Sequence, residues 1–111
     1  MDMFEAVQQR KSVRAYKDDL LPKEKLERIL EAGRLAHSAR NVEPWYFIVV
    51  TDAEKRKILS KGRYAKFLTQ SPVVIVACGD KEASADWYAV DVSLAVENMV
   101  LAAQAEGLGT C

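Results

Sequence analysis

Two stretches of the chain, Trp45 to Val50 and Val73 to Cys78, are short, uninterrupted apolar runs. A strand with one wet face alternates apolar and polar side chains, so runs without alternation read as strands covered on both faces. Two such strands are not a stable object by themselves, because each keeps an unpaired edge. The sheet therefore has to be completed, by another subunit or by polypeptide beyond Cys111. Continuation of the polypeptide is the favoured source, with a contribution from a second subunit.

The rest of the pattern surrounds these strands with helices. Residues 2 to 9 read as a short helix with Phe4 and Val7 on one face and Asp2 and Glu5 at the positive end of its dipole. From Pro22 to about Ala36, the spacing of Leu26, Ile29, Leu30 and Gly33 gives an amphipathic helix opened by a proline. Asp52 is placed to cap a further helix reaching about Ser60, which Gly62 breaks, and residues 63 to 71 fit at most a helical turn. Gly79-Asp80 ends the second strand. A helix from about Ala85 to Ala105 is apolar on most sides, which makes it the core helix, and Gly107 and Gly109 stop it. This order predicts an α+β or α/β layout in a single domain, 1 to 111, since a chain this short builds one core.

Composition removes several function classes. Half the residues are hydrophobic and 29% are charged, as in an ordinary globular protein. Sixteen basic residues balance sixteen acidic ones, so no global field holds a nucleic acid or an acidic membrane. The apolar runs are too short to span a bilayer, and the acidic start is no signal peptide, so a cytoplasmic protein is expected. Cys78 and Cys111 lack metal-ligand spacing; Cys78 reads as a core residue.

Arg10, Ser12 and Arg14 place a strong donor at every second position. In extended backbone alternate side chains share one face, roughly 6.6 Å apart. Two guanidiniums and a hydroxyl then converge on one anion, and the arginine fork matches phosphate oxygens two at a time. A solvated basic turn after a short helix fits the same pattern. The loop Ser38-Ala39-Arg40-Asn41-Val42-Glu43-Pro44-Trp45 sits at the mouth of a buried strand, a common ligand edge. It is also what a helix end needs, since Asn41 tolerates left-handed geometry and Glu43 before Pro44 is pushed extended. His37, the only histidine, fits a dipole partner at a helix C-terminus better than a catalyst. Gly107-Leu108-Gly109 lacks the third glycine of a dinucleotide motif and follows a helix, so helix termination explains it. Asp86 and Asp91, on the first turns of the long helix, need only a capping or dipole role, and Trp87 and Tyr88 read as packing or interface aromatics.

Taken in order, these segments resemble the nitroreductase family of flavoproteins. Arg10-Lys11-Ser12-Val13-Arg14-Ala15-Tyr16 is similar to its N-terminal phosphate and ribityl segment, and Ala36 to Val50, AHSARNVEPWYFIVV, to its flavin-edge loop and following strand. Val73 to Asp80 resembles its second core strand. Asp91 to Cys111, DVSLAVENMVLAAQAEGLGTC, is similar to its central helix and glycine turn.

The resemblance implies an α+β fold, with a central, mainly antiparallel sheet flanked by helices and a long buried core helix. It implies a homodimer with FMN at the subunit interface, in which Arg10, Ser12 and Arg14 come from one subunit and the Ser38 to Asn41 loop from the other. The implied cofactor contacts are Arg10, Ser12, Arg14, Ser38 and Asn41, with Arg40 and His37 as secondary ones. Implied too is a ping-pong cycle in which NADH or NADPH reduces the flavin and a nitroaromatic, quinone or similar acceptor reoxidises it. The flavin then carries the chemistry, which accounts for the lack of a recognisable acid or base. The alternative is an FMN-binding or dimerising protein of this fold without turnover.

Three departures from the family pattern stand out. His37 replaces the usual proline and Glu43 the usual glutamine, so an imidazole could stack on the flavin, and a carboxylate could lower its potential by disfavouring the anionic reduced form. Family chains also continue past the segment matching Gly107 to Cys111, so 1 to 111 is expected to correspond to the N-terminal two-thirds of the family domain.

Overall fold

The computed structural model describes residues 1 to 111. Its elements are α1 (Met3–Gln9), α2 (Lys23–Arg34), a 3-10 turn (Ala39–Asn41), β1 (Trp45–Val50), α3 (Ala53–Leu59), a second 3-10 turn (Lys66–Thr69), β2 (Val74–Gly79) and α4 (Tyr88–Ala105). The fold is α+β. Strands β1 and β2 pair antiparallel, Trp45 opposite Gly79 and Val50 opposite Val74, as a two-stranded sheet.

Local chemistry sets the element ends. Asp2 caps α1 with a reciprocal box, its side chain accepting from the Glu5 amide and Glu5 accepting from the Asp2 amide. Asp52 accepts from the Lys55 amide, the cap expected for α3. Pro22 sits at the cap of α2 and not inside its first turn, with φ −58° and ψ 136°, so that helix begins at Lys23. At the far end of α4 the Leu108 amide donates to the Ala103 carbonyl and the Gly107 amide to that of Gln104. This paired closure needs a left-handed residue, and Gly107 supplies it at φ 79°.

Helix α4 is the spine. Met99 and Ala103 pack with Ile29 of α2, with Phe47, Ile75 and Leu108 around them, while Ala95 packs with Ala36 and Trp45. Gly33 lets α2 approach closely, for a β-carbon there would lie 2.8 Å from Met99 Cγ. Glu106 ties the same two helices electrostatically. Its carbonyl accepts from Lys25 Nζ at 2.8 Å, and its carboxylate pairs with Arg28 through Nε at 2.7 Å and Nη2 at 3.1 Å.

Three expectations need correction. Phe4 and Val7 are 69% and 50% exposed, and the residue α1 buries is Ala6. A seven-residue helix meets α4 along one narrow line, and a small side chain suits so close an approach. The strands are not covered on both faces. Tyr46 is 64% and Ile48 54% exposed, because α2 and α4 cover only the side carrying Trp45, Phe47 and Ile75. Cys78, opposite Tyr46, is consequently half-buried and not a core residue. An open apolar cavity of about 970 Å³ is lined by residues including Leu26, Val74, Val76, Val96 and Val100. No helix is long and apolar enough to cross a membrane.

Candidate functional site

Arg10 is the C-cap of α1, and its φ of −60° and ψ of 141° turn the chain from helix to extended backbone. Ser12 then forms a parallel bridge with Thr110, and the Val13 amide donates to the Thr110 carbonyl at 2.7 Å. The Tyr16 hydroxyl donates to the Val13 carbonyl, fixing the end of the segment. Val13 is half-buried over Gly109, whose added β-carbon would lie 3.0 Å from it, whereas Arg10, Ser12 and Arg14 are exposed. The extended geometry expected of the stripe is therefore present. The ion pairs of the chain involve Lys23, Arg28 and Arg34, so Arg10 and Arg14 carry uncompensated charge.

The second segment is unusual in its backbone. Arg40, Asn41 and Glu43 have φ of 52°, 56° and 54°, three left-handed non-glycine residues within four positions. Such conformations persist where surrounding structure holds them, and they cluster at functional sites. Asn41 is left-handed, as its side chain permits; Glu43 is too, contrary to the extended backbone expected before Pro44. The reason lies in Ser38, which is 3% exposed and whose Oγ accepts from the Glu43 amide at 2.9 Å. That bond curls the loop back on itself. Ser38 thus shapes the loop from within, through its buried hydroxyl.

Two further anchors lie outside the loop. The Ala39 amide donates to both carboxylate oxygens of Asp91, at 3.2 and 3.3 Å. Pro44 is fully buried, and its carbonyl accepts from the Asp80 amide at 2.7 Å. The side chains of His37, Arg40 and Asn41 are left exposed, and none forms a hydrogen bond or ion pair within the chain. His37 caps no helix, since α2 ends at Arg34 with Leu35 as its cap. Arg34 is held above the usual guanidinium range, first by its hydrogen bond to Glu31, then by attraction to Glu31 and, more weakly, to Glu43.

Asp91 is the loop anchor that the sequence reading undervalued. It is 2% exposed, and it serves the loop and not only its own helix. A signal existed: the residues three and four positions away are Trp87, Tyr88, Leu94 and Ala95, so this acid has no ionic partner on α4.

The two segments meet opposite ends of α4. The loop is tied to Asp91 in its first turn, and the arginine stripe to Thr110 beyond its last. At 1.5 Å per residue, Asp91 to Ala105 alone spans roughly 20 Å. The structure brings Arg10, Ser12 and Arg14 together, and His37, Arg40 and Asn41 together, as two separate sets.

Comparison with known proteins defines the class. The family model described as "Nitroreductase family" matches residues 7–62 and 57–111, and the chain belongs to that family. Among its relatives is an Archaeoglobus fulgidus protein provisionally named NADH dehydrogenase/NAD(P)H nitroreductase, 40% identical over 91% of this chain and 60% of its own length. Among solved structures, an FMN-dependent nitroreductase from Clostridium difficile superposes with a TM-score of 0.92 at 40% identity, over 97% of this chain and 64% of that one. A provisionally named nitroreductase from Desulfovibrio desulfuricans, solved in complex with FMN, gives a TM-score of 0.89 at 34% identity, over 98% and 66%. The chain thus spans 60% of that relative's length and 64% and 66% of those two structures.

Proposed function

We propose that residues 1 to 111 supply two half-sites for FMN in an NAD(P)H-dependent oxidoreductase that acts as a homodimer on small organic acceptors such as nitroaromatics or quinones. The observation that carries this reading is the separation of two unpartnered donor sets by the length of α4. An anion-binding stripe at one end and a polar, left-handed loop at the other do not converge within one copy, but the stripe of one copy and the loop of another form one site.

The residues present fit the cofactor. Arg10 and Arg14 offer two uncompensated guanidiniums and Ser12 a hydroxyl to a phosphate dianion. Arg40, Asn41 and His37 offer exposed donors on a backbone held from within by Ser38 and Asp91, which suits a planar, heteroatom-rich ring edge. Bound there, FMN would supply the hydride-transfer chemistry between NAD(P)H and the acceptor, in the ping-pong cycle proposed here. The chain's own residues bind the phosphate, orient the ring and leave its open face to exchange substrates. Glu43 places a carboxylate at the end of the loop that would disfavour negative charge on the ring.

The test is an absorbance spectrum of the purified protein after incubation with FMN and desalting, then under anaerobic NADH or NADPH. Retained flavin bands that bleach with either nucleotide and return with a quinone or nitroaromatic are expected. A protein that retains no flavin contradicts the reading.

A further inference from the structure

We infer that Asp91 is a positioning residue: its buried carboxylate, through the Ala39 amide, holds the His37 to Glu43 loop in the left-handed conformation that presents Arg40 and Asn41. What the loop is held for rests on the flavin reading above; that it is held does not.

A carboxylate 2% exposed with no cation within salt-bridge distance is costly to bury, and such a group persists where its acceptors are used. Both of its oxygens are directed at one donor, the Ala39 amide. Its position in the first turn of α4 offsets part of the cost, since the positive end of the helix dipole favours negative charge. The other hydrogen bonds of the loop, Asn41 amide to Ser38 carbonyl, Val42 amide to Ala39 carbonyl and Glu43 amide to Ser38 Oγ, are internal. They define its shape but not its place. The Asp91 bond ties that shape to the central helix, so the three left-handed residues are referenced to the core and not to solvent.

Amide hydrogen exchange on the full chain tests this, with Asp91→Ala and Asp91→Asn compared to the unchanged protein. Asparagine keeps an acceptor oxygen for the Ala39 amide and removes the charge; alanine removes both. In Asp91→Ala the amides of residues 39 to 43 are expected to exchange about tenfold faster, the size of one charge-assisted hydrogen bond, while those of β1 and β2 keep their rates. Asp91→Asn is expected to stay within about threefold of the unchanged protein. FMN affinity should fall in Asp91→Ala by a similar factor and be restored in Asp91→Asn. Unchanged loop exchange in a folded Asp91→Ala overturns the inference; faster exchange with unaltered FMN affinity upholds the hold on the loop and overturns its use in presenting Arg40 and Asn41 to the flavin. Should Asp91→Ala not fold, Asp91→Asn decides alone, a protected Ala39 amide supporting the inference and an unprotected one overturning it. If the unchanged protein takes up no FMN, the flavin reading fails, and loop exchange by itself still decides whether Asp91 holds the loop.

Discussion

At the scale of single residues, the stripe proposed to bind phosphate depends on what surrounds it as much as on its own charges. Arg10 and Arg14 project from backbone pinned by Thr110 on one side and by Tyr16 on the other. Tyr16 also packs against Phe67, ring centroids 6.5 Å apart, and burial, followed by negative charge at Cys111, raises its pKa against a smaller opposing effect of Arg14. A folded-state pKa above the unfolded one means that the native state keeps this proton longer. Its contribution to stability is therefore full below the ordinary tyrosine range and is lost as pH rises through it. Alkaline urea titrations should show a steeper loss of stability for the unchanged protein than for Tyr16→Phe. Equal slopes would remove Tyr16 from the account. The stripe was legible in the sequence because alternation is local, readable from three positions. Asp91 was legible only as an acid without an ionic partner on its helix, because its partner, Ala39, lies 52 positions away.

Helices and strands were legible to the extent that their signals were local. The caps at Asp52 and Gly107 and the apolar α4 stood out, since capping chemistry and helical periodicity act within a few residues. Strand exposure did not. An apolar run states what a strand needs covered, and α2 and α4 of one chain cover only one side of β1 and β2. The left-handed Glu43 was missed likewise, because the Ser38 hydroxyl overrides the preference that Pro44 imposes. At the seam of α2 and α4, Gly33 admits Met99 and Phe47, with Met99 only 6% exposed. Gly33→Ala gains about 1 kcal/mol of helix propensity but overpacks a tight core, which typically costs 1–3 kcal/mol. Packing should win, and urea denaturation should show a net loss of about 1 kcal/mol. A stabilised variant would mean that the seam is looser than these distances imply.

At the scale of the whole molecule, the same helix that organises the core separates the two donor sets, and the proposed site therefore draws on a second copy. The most direct measurement is complementation. Arg14→Ala damages the stripe and Asn41→Ala the loop, and each variant alone should bind FMN poorly. Mixed under conditions that exchange subunits, half the dimers are hybrids, and each hybrid carries one undamaged site and one doubly damaged site, so about a quarter of all sites should recover tight FMN binding. Titration of flavin fluorescence quenching reads that fraction. Recovery near one quarter is the result this account predicts; a mixture that binds no better than the average of its two components would contradict a site shared between copies.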